Sequence, residues 1–123
     1  MKKILVIDDE KPTLAMFRLL LTACGYEVMM AETGAAGIEL FKVEKPPIVI
    51  TDIKMPGMDG LTVLKEIKAE HPATAVIMIT GHGDSELAQK ALDLHAIAFI
   101  HKPIHKEALD AALEKAAAWI ATL

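Results

Sequence analysis

One cysteine, Cys24, stands in 123 residues, so no internal disulfide can form and no metal-type partner accompanies it. We read it as a small buried hydrophobe in a reducing compartment. No basic run is present to meet phosphates, and the formal charge of −4 argues against nonspecific nucleic-acid binding by this chain. No apolar stretch approaches the length of a membrane span. Residues 1–7 open like a signal peptide, but Asp8, Asp9 and Glu10 cut the apolar part far short of an h-region. Internal repeats, Ser/Gly linkers and low-complexity tracts are absent. So are a Gly-x-Gly-x-x-Gly fingerprint and a Walker loop, which leaves nucleotide or flavin binding with minimal support. What remains is a soluble, cytoplasmic single domain over residues 1–123.

Apolar residues make up 53% of the chain, so a sizeable core is available and disorder over any long span is excluded. Ile4–Ile7 is a continuous apolar run, the mark of a strand buried on both faces. Pro12 suits a first helical turn, Leu14, Phe17, Leu21 and Cys24 recur at helical spacing, and Gly25 supplies a left-handed stop. Val28–Ala31 reads as a second strand near an edge, and Thr33 as the cap of a helix bearing Ile38, Leu40 and Phe41. Ile48–Ile50 opens the central strand. Asp59-Gly60 reads as turn and cap before a helix marked by Leu61, Leu64 and Ile67, closed at His71-Pro72. Ala75–Ile79 is a fourth strand, and Asp84 or Ser85 caps the helix carrying Leu87, Ala91 and Leu94. Ala98–His101 is a short fifth strand. Leu109, Leu113, Ala116 and Ile120 line the last helix, with Trp119 and Leu123 off that stripe and exposed. Such alternation predicts an α/β fold, a parallel sheet wound on both faces by right-handed crossovers.

Several strands end in chemistry: Asp8-Asp9 after the first, Asp52 after the third, Thr80 after the fourth, and Lys102 just past the fifth. In a parallel sheet those ends share one edge, where sites gather. Crowded carboxylates raise one another's pKa, and an oxygen-seeking divalent cation relieves that. Mg²⁺ suits a few carboxylates, a carbonyl and retained water. With Lys102 opposite the metal and the Thr80 hydroxyl beside it, the equipment is that of phosphoryl transfer, Asp52 being the nucleophile. Singly, each residue has a dull explanation, such as helix N-terminal acids for Asp8-Asp9. Together and in register they do not.

These motifs, with Met55-Pro56-Gly57 after Asp52 and Pro103 after Lys102, resemble the receiver domains of bacterial two-component response regulators over the whole chain. The resemblance implies a five-stranded, doubly wound, flavodoxin-like sheet of order 2-1-3-4-5, the order recorded for the chemotaxis regulator of that family. It implies that Asp52 accepts the phosphoryl group. Mg²⁺ would be bound directly by Asp9, mostly through water by Asp8, and by Asp52 and the Lys54 backbone carbonyl. Lys102 would pair with phosphoryl oxygens, and Lys102–Pro103 would be cis. Thr80 and Phe99 match the family's switch pair, and Lys54 and His82 occupy positions that tune phosphate lifetime. The implied donor is a sensor histidine kinase or histidine phosphotransfer protein. The implied output is an effector domain or protein reading the fourth helix, fifth strand and fifth helix.

Departures are also visible. His95 stands where the family often ends the fourth helix with Gly; a His can occupy a left-handed position at some cost, so a looser or differently shaped helix end is expected there. Ala98 replaces a common acid, and the last helix lacks arginines, which disfavours the winged-helix transcription regulators. For residues 116–123 two readings stand: a frayed terminal helix, or a homodimer contact or a helix continuing towards an output module. His101 and His105 straddle Pro103 and read as surface or packing residues, and Met29, Met30 and Met78 as core filler. The rival enzyme class, aspartyl phosphatases of the haloacid-dehalogenase type, needs a second acid two residues after the nucleophile, where this chain has Lys54.

Overall fold

The computed structural model describes residues 2–81 and 84–123. Five strands alternate with five helices: β1 Lys2–Ile7, α1 Lys11–Ala23, β2 Tyr26–Ala31, α2 Gly34–Glu44, β3 Ile48–Asp52, α3 Gly60–Glu70, β4 Ala75–Thr80, α4 Ser85–Asp93, β5 Ala98–His101 and α5 Lys106–Ala121. All four strand pairings are parallel, in the order β2-β1-β3-β4-β5. The five-stranded, flavodoxin-like expectation holds, with β3 at the centre and β2 at an edge.

The two-residue period of the strands sorts the core into two layers. Ile4 and Val6, Ile48 and Ile50, and Ile77 and Ile79 face Leu14, Phe17 and Leu21 of α1 and Leu109, Leu113 and Ala116 of α5. Leu5 and Ile7, Val49, and Val76 and Met78 face Ile38 and Phe41 of α2, Val63, Leu64 and Ile67 of α3, and Ala91 of α4. Both faces are therefore covered, which is why these strands read as unbroken apolar runs rather than alternating ones. The Thr33 side chain accepts from the Ala36 N–H at 3.1 Å, and that of Asp59 from Thr62 at 2.9 Å, so both predicted caps are present. Gly25 stops α1 at φ +90°, and His95 takes φ +74° just beyond α4.

Three expectations fail. Cys24 is exposed, not buried: α1 ends at Ala23, so Cys24 sits past the last turn, where the helical stripe no longer points inward. Asp84 occupies the N-cap position of α4, yet its side chain makes no cap hydrogen bond, and Ser85 is the first helical residue. The Asp84 carboxylate is drawn elsewhere, as described below. Trp119 is half-buried rather than exposed, because it packs against the core layer under α1 and α5, with the Lys68 ammonium 4.4 Å from its ring centre. That ammonium is held by the carbonyls of Pro72 and Thr74 at 3.1 and 2.6 Å. Leu123 does remain open to solvent.

Candidate functional site

Register brings the acids together. Ile7 lies opposite Thr51 in the β1–β3 pairing, so Asp8, one residue further, falls beside Asp52. Carboxylate oxygens of Asp8, Asp9, Glu10 and Asp52 all lie within 4.8 Å of one another. Asp8 and Asp52 are buried, while Asp9 and Glu10 face solvent. Lys102 reaches this cluster from beyond β5: its Nζ is 3.0 Å from Asp52 Oδ2, 2.7 Å from Glu10 Oε1 and 3.6 Å from Asp8 Oδ2. The Lys102–Pro103 bond is cis.

The electrostatics follow from burial. Burial pushes the Asp8 carboxyl up to about 6, against the Glu10 N–H that donates to its Oδ1 at 2.8 Å, with the charge of Asp52 adding to the rise. Asp52 is raised for the same first reason, opposed by its hydrogen bond and charge contact with Lys102 and by the Lys54 N–H at 3.4 Å. Burial alone would lower Lys102. Its hydrogen bonds to Glu10 and Asp52 outweigh that and hold it above the ordinary lysine value. One ammonium thus serves three carboxylates, and the account does not balance. Oδ2 of Asp8 is buried without any hydrogen-bond partner, the kind of orphan that a hard cation satisfies. An all-oxygen donor set with an orphaned buried oxygen fits Mg²⁺.

A second tie lies beside the first. The Lys54 ammonium stands 2.7 Å from Oδ1 of Asp84, an ion pair in which Oδ1 accepts no well-aligned hydrogen bond. Oδ2 of Asp84 accepts from the Gly81 N–H at 2.8 Å. Lys54 and the Gly81 N–H together hold the Asp84 carboxyl below its usual range. This explains why that side chain does not cap its own helix.

Thr80 ends β4 fully buried, but its hydroxyl is engaged outside the acidic cluster, 2.9 Å from Nδ1 of His101 and 3.5 Å from the Ile100 carbonyl. Phe99 is 37% exposed and meets the His101 ring edge to face. The expectation for His82 falls outside the described residues. Three residues of this region escaped sequence reasoning: Glu10, Asp84 and His101. Glu10 was legible as the third acid of a run, and His101 as the residue sharing a strand face with Phe99. Nothing in the sequence signals the Asp84–Lys54 pair.

Comparison with known proteins agrees on the family. The model of the response regulator receiver domain matches residues 4–114. The transcriptional regulatory protein GlrR of Escherichia coli is 38% identical over 113 residues, which are 92% of this chain and 26% of GlrR. The chain spans about a quarter of that relative's length. A receiver domain protein from Clostridium thermocellum superposes with a TM-score of 0.90 at 39% identity, covering 94% of each chain. A CheY-like receiver domain protein from Methanospirillum hungatei gives 0.92 at 30% identity, covering 100% of this chain and 99% of the other.

Proposed function

The chain belongs to the response regulator receiver domain family, and on that premise we propose that residues 1–123 form one receiver domain that accepts a phosphoryl group on Asp52. The observation carrying this is the Lys102 ammonium 3.0 Å from Asp52 Oδ2, at the edge of a four-acid cluster. Asp52 stands at the carboxyl end of the central strand, where a phosphohistidine can approach. An Asp52 oxygen attacks phosphorus, the P–N bond breaks, and the leaving imidazole takes a proton. Lys102 is placed to neutralise charge on the transferring oxygens, and burial keeps bulk water from competing.

Asp9 would hold Mg²⁺ directly and Asp8 mostly through water, with Asp52 and the Lys54 carbonyl completing the protein ligands. When bound, the ion supplies charge neutralisation for the acids and the phosphoryl oxygens. The phosphoryl group adds acceptor oxygens towards which Thr80 can turn, and Phe99 follows into the vacated space. The surface of α4, β5 and α5 then reports the state to an effector domain or protein. The chain acts as a switch rather than as a turnover enzyme. The chain works in the cytoplasm, its donor is a sensor histidine kinase or histidine phosphotransfer protein, and Lys54 and His82 set the phosphate lifetime. The chain itself contacts neither nucleic acid nor membrane, and residues 116–123 offer a homodimer contact or a route to an output module.

The test is incubation with acetyl phosphate, with and without Mg²⁺, followed by mass spectrometry. One phosphoryl group on Asp52, dependent on Mg²⁺ and absent from Asp52→Asn, is expected. Labelling that is indifferent to Mg²⁺, or that survives in the Asn variant, overturns the reading.

A further inference from the structure

Thr80 and His101 are partners in the β4–β5 register, and the strand ends bring their side chains into contact. The Thr80 Oγ1 lies 2.9 Å from Nδ1 of His101, whereas the Ile100 carbonyl at 3.5 Å is at the limit of a hydrogen bond. Thr80 is fully buried and His101 is exposed. The same imidazole meets Phe99 edge to face, with ring centroids 5.2 Å apart and planes at 80°. One side chain therefore touches both residues of the switch pair. A threonine hydroxyl has a single proton to donate. With Nδ1 as acceptor, that proton is engaged at His101 and must be won back before Thr80 can serve an oxygen on Asp52.

We propose that His101 is a positioning residue that holds the switch at rest, engaging the Thr80 hydroxyl and supporting the Phe99 ring in its outward position. The proposal rests on the reading of Thr80 and Phe99 as the switch. Phosphorylation then exchanges one hydrogen bond for another, so the threshold for switching depends on how well residue 101 accepts. A net hydrogen bond of ordinary strength biases such an equilibrium by roughly two- to tenfold.

The test compares amide NMR spectra of the full chain at rest and with acetyl phosphate and Mg²⁺, following Ala88 and Ala91 of α4. In a two-state exchange, the resting peak position along the line to the phosphorylated one measures the active fraction. His101→Phe keeps an aromatic ring against Phe99 and removes the acceptor. His101→Asn keeps a side-chain acceptor and removes the ring. A roughly two- to tenfold rise in resting active fraction is expected for Phe and a smaller rise for Asn, which forfeits only the ring contact, with no Phe effect on a Thr80→Val background. Should the Phe variant lose spectral dispersion, His101→Ala takes its place with the same expectation. Resting peaks unmoved by removal of the acceptor, or an equal shift without the Thr80 hydroxyl, overturn the proposal. Labelling of Asp52 in the native chain separates the two failures. If it is absent, the phospho-acceptor reading falls and takes this proposal with it. If it is present while the peaks stay put, the proposal alone falls.

Discussion

Lys54 and Asp84 meet at 2.7 Å, joining the loop after β3 to the residue that precedes α4. The pair is unequal, since the Lys54 side chain is 66% exposed and that of Asp84 only 4%. Removing the exposed partner forfeits a screened ion pair, while removing the buried one also strands the Gly81 N–H. Lys54→Ala should therefore cost less than about 1 kcal/mol. Asp84→Ala should cost about 1–3 kcal/mol. Urea denaturation of both variants in the absence of Mg²⁺ checks the order.

Asp8 makes the metal-free domain sensitive to pH. Its carboxyl titrates near 6 in the folded chain, above the value of about 3.9 for an unfolded aspartate. Between those values the folded state binds more protons than the unfolded one. Stability from this group is thus present at low pH and lost as pH rises from about 4 to about 6, by roughly 2–3 kcal/mol. In EDTA, Asp8→Asn should flatten that fall and be the more stable protein at pH 7. Added Mg²⁺ should recover stability at pH 7 in the native chain more than in the variant. Urea midpoints across pH, with and without the ion, provide the measurement.

Gly60 carries more than a turn. A Cβ there would fall inside contact distance of the Asp52 carbonyl oxygen and 2.8 Å from the Ile53 Cα, backbone atoms that cannot swing aside. The Gly60 N–H also donates to the Ile53 carbonyl at 2.7 Å. Gly60→Ala should destabilise by about 1–3 kcal/mol through overpacking and should slow labelling of Asp52 by displacing its backbone. Paired denaturation and acetyl phosphate time courses test both parts.

Thr80→Ala separates accepting the phosphoryl group from responding to it. The hydroxyl is not among the groups contacting Asp52 at rest, so Mg²⁺-dependent labelling should persist. The phosphorylation-induced shifts of the α4 amides should shrink, because the donor worth ~1.5–3 kcal/mol to a charged acceptor is gone. A full-size response in this variant counts against the coupling.

Element order and core were legible because both rest on short-range pattern. The unbroken, largely β-branched runs at Ile4–Ile7 and Ala75–Ile79 are too short for helices and read as strands covered on both faces, and the caps at Thr33 and Asp59 need nothing beyond three residues of chain. The errors came where the pattern runs out. Cys24 follows a helical stripe by one step too many. Asp84 has the right type for a cap, yet it answers to a lysine thirty residues away.

The sequence by itself determined that acids and a lysine lie at strand ends, since alternating strand and helix place those ends on one edge. Only the tertiary structure decided how they divide the available partners. Lys102 hydrogen-bonds Asp52 and Glu10 and stands 3.6 Å from Oδ2 of Asp8 without satisfying it, and the Thr80 hydroxyl goes to His101. The physical reason is that burial and hydrogen-bond allotment depend on register and rotamer across strands distant in sequence, whereas periodicity reports only which face a residue takes.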